Sequence, residues 1–190
     1  MVTATRISTR RDPRARAFLG REFLTWLWYR CESSGGTFTL TGTGPGNATP
    51  GGLREVGVLF NDYVALVSAD ETGERNIVRR ASAHRSPEAR TALLVGKTVE
   101  AARLEIACGE REWSAVIAGD TLDVRSAKYP APRGETADDR ELDRLAALEE
   151  LSDIIDGLYA LFLAARLDAA WDSEEVPAIA RWIRSRAIPA

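Results

Sequence analysis

Side chains that perform acid–base or nucleophilic chemistry are few in this 190-residue sequence. His84 is its sole histidine and precedes Arg85 and Ser86, where a helix is predicted to begin. An imidazole works as a general base only beside a nucleophile and an orienting group, and the sequence places neither near His84. We therefore interpret His84 as a surface or helix-capping residue. We predict that the protein is not an enzyme, and we identify no small-molecule substrate.

The two cysteines, Cys31 and Cys108, lie far apart, and neither belongs to a CxxC pair or another zinc-ligand pattern. A disulfide framework and a zinc site are therefore unsupported, and we expect both cysteines to be buried free thiols.

Gly96-Lys97-Thr98 resembles the end of a phosphate-binding loop. That motif requires a glycine where this chain has Thr91, so we interpret the match as a chance one.

Three carboxylates, Glu149, Asp153 and Asp156, are spaced at i, i+4 and i+7, which places them on one side of a predicted helix. Such a cluster can attract a divalent cation. Metal sites in helical bundles take ligands from several helices, however, and the sequence offers no second cluster of this kind. We interpret the three carboxylates as a solvated face, and we predict neither a metal site nor a cofactor.

Charge is divided unevenly along the chain, although the net charge is only −3. Residues 1–30 hold seven arginines against two carboxylates, whereas residues 135–175 are strongly acidic. Arginine side chains neutralise DNA phosphates without reading the base sequence. The arginines that precede Phe18 are therefore the candidate nucleic-acid-binding residues: Arg6, Arg10, Arg11, Arg14 and Arg16.

Residues 18–31 form a strongly apolar segment, with two Phe, two Trp and one Tyr among fourteen residues. At helical spacing its apolar side chains cover nearly the whole circumference of a helix. Such a helix has to be buried, either within its own domain or against a partner. For a helix that docks on a partner, including a second copy of this chain, Trp26, Trp28 and Tyr29 are the candidate partner-binding residues.

Start and stop signals divide the first half of the chain into a helix and several strands. Asp12 as N-cap and Pro13 at the first helical position predict a helix to about Glu32. Alternating residues predict a strand over Thr37–Thr41. Residues 56–60 and 63–68 read as two strands joined by a tight hairpin at Asn61-Asp62, and residues 76–81 predict another strand.

Capping residues and alternation also order the second half of the chain. The predicted elements are a short helix from Ser86 to about Val95, antiparallel strands over residues 102–108, 113–117 and 122–124, a helix over residues 137–170 and a final helix capped by Ser173. The turn between the last two of these strands is predicted at Gly119-Asp120.

These elements predict an α+β fold, in which an antiparallel sheet packs against the N-terminal aromatic helix and two C-terminal helices. We assign residues 1–12 to a basic N-terminal tail and residues 13–190 to a single α+β domain. The apolar run near the C-terminus is too short to span a bilayer, and the N-terminus lacks the apolar core of a secretory signal. We therefore expect a cytoplasmic protein without membrane contact.

The order of several motifs resembles the C-terminal region of long bacterial proteins of the recombination-associated RdgC family. The resemblance covers residues 18–29, Leu94-Val95-Gly96-Lys97, Ala101-Ala102-Arg103-Leu104, Glu112-Trp113 and residues 158–171, and so most of the chain from Phe18. It implies sequence-independent DNA binding by a homodimer that restrains RecA-driven strand exchange. The N-terminal part that builds the family's ring has no counterpart here, and no DNA-contacting residue of the family is carried over.

We therefore predict a non-enzymatic accessory protein of DNA recombination or nucleoid maintenance, which binds DNA without sequence preference through its arginines and associates with itself through its helices. The alternative is a protein-interaction or assembly module without nucleic-acid contact, in which the aromatic helix docks on a partner. The first hypothesis requires salt-dependent affinity for DNA, and the second requires an assembly larger than a monomer.

Overall fold

An antiparallel sheet with flanking helices makes an α+β architecture in the computed structural model, which describes residues 13–41, 52–68 and 73–185 and, within the first helix, side chains from Glu22 onward. This confirms the predicted fold class. The helices are α1 (Pro13–Ser33), α2 (Pro87–Leu94), α3 (Ala137–Leu167) and α4 (Val176–Ser185). The strands are β1 (Thr37–Thr41), β2 (Leu53–Val67), β3 (Arg75–Arg79), β4 (Thr98–Cys108), β5 (Arg111–Ala118) and β6 (Val124–Lys128).

The sheet is organised around β2, the longest strand. Its order is β1-β2-β4-β5-β6, and β3 also pairs with β2. β1 pairs with residues 53–57 and β3 with residues 63–67, so these two short strands follow one another along the same edge of β2. The successive antiparallel pairing of β4, β5 and β6 agrees with the prediction from sequence.

The predicted hairpin at Asn61-Asp62 is wrong, because β2 continues through these residues as one strand. β4 pairs with both halves of β2, and the register shifts between Phe60 and Val64, where the extra residues are absorbed as an irregularity. Side chains of β4 hold this segment in place. Asn61 donates a hydrogen bond to Glu105, and Asp62 lies 3.0 Å from Arg103. Long-range pairing has therefore overridden a local turn signal.

The hydrophobic core lies between one face of the sheet and the helices. Phe23, Trp26 and Trp28 of α1 are all at most 3% exposed. Trp113 of β5 is also buried, and its indole N–H donates to the Ala147 carbonyl of α3 at 3.0 Å. For the described part of the aromatic segment, the required burial is thus met within the chain.

The two predicted caps of later helices have different outcomes. Ser86 caps α2 as expected, since its hydroxyl accepts a hydrogen bond from the Ala89 N–H at 3.1 Å. Ser173 does not cap the last helix. It lies in a π-helical turn over Trp171–Glu175, and its hydroxyl donates to the Ala170 carbonyl at 3.4 Å, so that α4 begins only at Val176. Within the part of the chain that the structure describes, none of the helices is sufficiently long and apolar to cross a bilayer.

Candidate functional site

The sheet face opposite the core carries polar and charged side chains. Along β4, Leu104 and Ile106 point into the core, whereas Arg103 and Glu105 alternate with them and face the other way. One solvated face is usual for an antiparallel sheet. What distinguishes this face is the number of arginines that it gathers.

Three arginines lie on one line across the strands of this open face. Arg79 pairs with Tyr63 across β3 and β2, and Arg103 is aligned with Val116 and, through it, with Arg125. Tyr63 precedes Val64, whose partner on β4 is Ala102, so Tyr63 and Arg103 are also neighbours. At about 4.8 Å between strands, the row from Arg79 to Arg125 is about 19 Å long at the backbone.

A groove of about 650 Å³ follows this row, and we call it the arginine groove. Five arginines and a single carboxylate line it: Arg75, Arg79, Arg80, Arg103, Arg125 and Asp62. The side chains of Ala101 and Ala118 are part of its lining, and both are nearly inaccessible. Small side chains at these positions leave a depression between the long guanidinium-bearing ones.

Most of the groove's arginines already have carboxylate partners. Arg103 Nε lies 3.0 Å from Asp62 Oδ1, Arg80 Nη1 lies 3.4 Å from Glu88 and Arg125 Nη2 lies 3.3 Å from Asp123. Arg75 is paired with Glu100 in the same way.

Arg79 is the exception, because no carboxylate of the described residues lies within ion-pair distance of it. Its guanidinium instead lies over the ring of Tyr63, 5.4 Å from the ring centroid. Exposed ion pairs contribute at most about 1 kcal/mol, and a guanidinium has five N–H donors. The paired arginines can therefore donate hydrogen bonds to a bound anion while they keep their carboxylate partners.

A second depression of about 470 Å³ lies on the same face, and we call it the apolar trough. Its lining includes the small residues Gly57 and Ala107 and the exposed side chains of Leu59 and Tyr129. Glu105, Glu112, Ser114 and Lys128 add polar atoms to its lining. The trough is therefore amphipathic, in contrast to the arginine groove.

The arginines predicted from the sequence cannot be compared with this face. Arg6, Arg10 and Arg11 lie outside the described residues. Arg14 and Arg16 fall within α1, but their side chains are likewise outside the described part.

Two of the three predicted partner-binding residues, Trp26 and Trp28, belong to the core. Trp26 and Trp28 are 3% and 2% exposed, and the half-buried Tyr29 ring packs 5.8 Å from that of Trp182. The Trp28 indole N–H donates to Glu32 at 3.1 Å, and the Trp26 indole N–H donates to Glu175 at 2.8 Å. Contacts within one chain thus account for the burial of both indoles, and a partner is not needed to explain it.

Among the described residues, those with catalytic potential are not assembled into a site. His84 is half-buried rather than exposed, and its ring meets that of Trp28 edge-on at 6.4 Å. Burial, reinforced by the neighbouring Glu32 carboxylate, raises the pKa of Cys31 to about 12, so its thiol is unreactive at neutral pH. The described residues contain no group of three His, Cys, Asp or Glu side chains placed to hold a metal ion.

Sequence reasoning missed the arginine groove, although one local signal was present. Arg75, Ile77 and Arg79 alternate with Asn76 and Val78, which is the pattern of a strand with a basic outer face. The groove itself depends on residues from five strands, and only the sheet register brings them together. Comparison with known proteins adds no assignment, because neither a protein-family model nor a curated protein matches this chain.

Proposed function

We propose that this protein is a non-enzymatic accessory of DNA recombination or nucleoid maintenance, which holds DNA by its phosphates without sequence preference. The observation that carries the proposal is the arginine groove, which gathers five guanidinium groups on one surface. Four of them each pair with one carboxylate, and Arg79 has no carboxylate partner among the described residues. Guanidinium groups bind phosphate oxygens through paired N–H donors, and such contacts carry no base information. The resemblance to the RdgC family supports the same class of ligand.

The affinity of such a surface for DNA comes mainly from the release of counterions, so it must fall steeply with salt. Arg79 and Arg125, at the two ends of the arginine row, are the most informative positions. Arg79 lacks a carboxylate partner among the described residues, and the Arg125 side chain is 67% exposed. Replacing either one removes a phosphate contact without leaving a buried charge unpaired.

The test measures duplex DNA binding by fluorescence anisotropy across a range of salt concentrations. We expect the double substitution Arg79→Gln with Arg125→Gln to weaken binding at low salt and to reduce the slope of log K against log salt by about 2. The matched control is Arg144→Gln on α3, away from the sheet, where the side chain is 62% exposed. Duplex affinity that ignores salt, or the same loss in the control, would reject the proposal.

A second function is favoured by the outer side of α3. Three leucines spaced three residues apart are more than half exposed there, at positions 142, 145 and 148. A contiguous apolar strip on a helix is typical of an interaction surface, which agrees with an assembly module or with self-association through the helices.

Solution mass by light scattering tests this second function. If the chain self-associates, Leu145→Glu should produce monomers, whereas Leu167→Glu, at a 74% exposed position near the end of α3, should not. If light scattering shows that the unsubstituted protein is a monomer, the hypothesis of self-association is rejected.

A further inference from the structure

The arginine groove and the apolar trough are adjacent on the open face. On β4 the lining residues of the two depressions that lie nearest to each other are Arg103 and Glu105, two residues apart. The same two-residue step separates Val116 from Ser114 on β5 and Ser126 from Lys128 on β6. Two residues of a strand span about 7 Å, so the two depressions run side by side across the sheet.

The apolar trough has the composition of a surface on which a flat ring can lie. Tyr129 and Leu59 are 40% and 58% exposed, and both line the trough, so their apolar surfaces are accessible to a ligand there. The small residues Gly57 and Ala107 also line the trough, so no large side chain obstructs that part of it. Nucleic-acid bases stack on aromatic and apolar side chains of this kind, whatever their sequence.

The arginine groove also contains a stacking element. Tyr63 is half-buried with its ring beneath the Arg79 guanidinium, and both residues line the groove. When one face of a guanidinium group lies over an aromatic ring, a nucleic-acid base can stack on the opposite face. The N–H groups at the edge of the guanidinium can at the same time donate hydrogen bonds to a phosphate.

Only an unpaired strand can use both depressions at once. In a duplex the bases are paired and stacked inside the helix, so their faces are not available to stack on side chains of the protein. A single strand exposes its phosphates and the faces of its bases next to one another. We infer that the open face binds single-stranded DNA, with phosphates along the arginine groove and bases in the apolar trough. This inference rests on the proposed function and names the form of DNA that the same face takes.

The experiment compares a labelled 12-nucleotide oligothymidylate with a 12-base-pair duplex in anisotropy titrations at low salt. We expect the single strand to bind about tenfold more tightly than the duplex. Tyr129→Ala should weaken oligothymidylate binding about tenfold and leave duplex binding within about twofold, because one stacked base loses its platform. Leu59→Ala, on another strand, gives an independent variant should Tyr129→Ala fail to fold.

Two controls separate this inference from the proposed function. Leu167→Ala removes an exposed apolar side chain from the end of α3 and should change neither affinity. Arg79→Gln should weaken both ligands. If the duplex binds as tightly as the single strand, or if Tyr129→Ala and Leu59→Ala both leave oligothymidylate binding unchanged, the inference fails and the proposed function stands. If neither DNA form binds, both fail.

Discussion

At the scale of single residues, the turn between α1 and β1 shows how little freedom some positions have. Gly35 and Gly36 both adopt a φ of +73°, in the left-handed region that favours glycine. They differ in their surroundings. A Cβ on Gly36 would lie 2.5 Å from the Val58 carbonyl oxygen, whereas nothing lies within 4 Å of a Cβ on Gly35. The close approach is required by the hydrogen bond from the Val58 N–H to the Gly36 carbonyl, at 2.7 Å.

We expect Gly36→Ala to lower the free energy of unfolding considerably more than Gly35→Ala. Both substitutions carry the backbone cost of about 1 kcal/mol for a non-glycine residue at positive φ. Only Gly36→Ala also pushes β1 and its connection away from β2, because the obstructing atom is backbone and cannot rotate aside. Urea unfolding of the two variants measures the difference, and equal losses of stability would contradict it.

At the scale of elements, α3 begins with a complete capping box. Thr136 Oγ1 accepts a hydrogen bond from the Asp139 N–H at 3.1 Å, and Asp139 Oδ2 accepts one from the Thr136 N–H at 3.2 Å. The Thr136 hydroxyl also donates to the Asp139 carboxylate at 2.6 Å. These hydrogen bonds hold the pKa of Asp139 below its usual range. Short-range sequence pattern decides this helix end, since every partner lies within three residues.

Thr136→Ala should lower the free energy of unfolding by about 1 kcal/mol at neutral pH, the usual cost of losing an N-cap. Because the pKa of Asp139 is lowered in the folded state, its contribution is present above its unfolded pKa and is lost as the pH falls through its folded pKa. The stability difference between parent and variant should therefore shrink in acid.

Ser173→Ala is the control for the capping box, because Ser173 was expected from the sequence to be an N-cap and is not one in the structure. Chemical unfolding at neutral and acidic pH measures both variants. A loss of about 1 kcal/mol for Ser173→Ala, or no loss for Thr136→Ala, would show that the helix ends have been misassigned.

At the scale of the whole molecule, the carboxylate of one residue links helix α1 to helix α4. Glu32, at the end of α1, accepts a hydrogen bond from the Trp28 indole at 3.1 Å and another from the Trp182 indole of α4 at 2.9 Å. The two indoles also meet edge-on, 5.6 Å apart. No residue of α4 is fully buried, although Ile179, Trp182 and Ile183 pack against the core. The contacts of Trp182 are therefore among those that hold α4 on the molecule.

We expect Glu32→Gln to lower the free energy of unfolding by about 1–3 kcal/mol, because one side-chain oxygen is replaced by a donor and one indole N–H loses its acceptor. Hydrogen exchange of the α4 amides should accelerate in the same variant. The matched control is Glu110→Gln, where the carboxylate is 86% exposed and pairs with Arg133 at 3.2 Å. Similar effects of the two substitutions would argue against this role of Glu32.

The sequence by itself determined the local features of this protein. Alternation indicated most of the strands, although the one predicted over residues 122–124 begins only at Val124. Pro13 and Ser86 marked helix starts, and the aromatic density of residues 18–31 required burial, because each of these signals involves neighbours along the chain. Only the tertiary structure decided the rest. Cross-strand pairing turned the Asn61-Asp62 signal into an irregularity within β2, and packing against α3 and α4 placed Trp26 and Trp28 inside the chain. The arginine groove likewise depends on register, since a shift of one residue in a strand would turn its arginine towards the core.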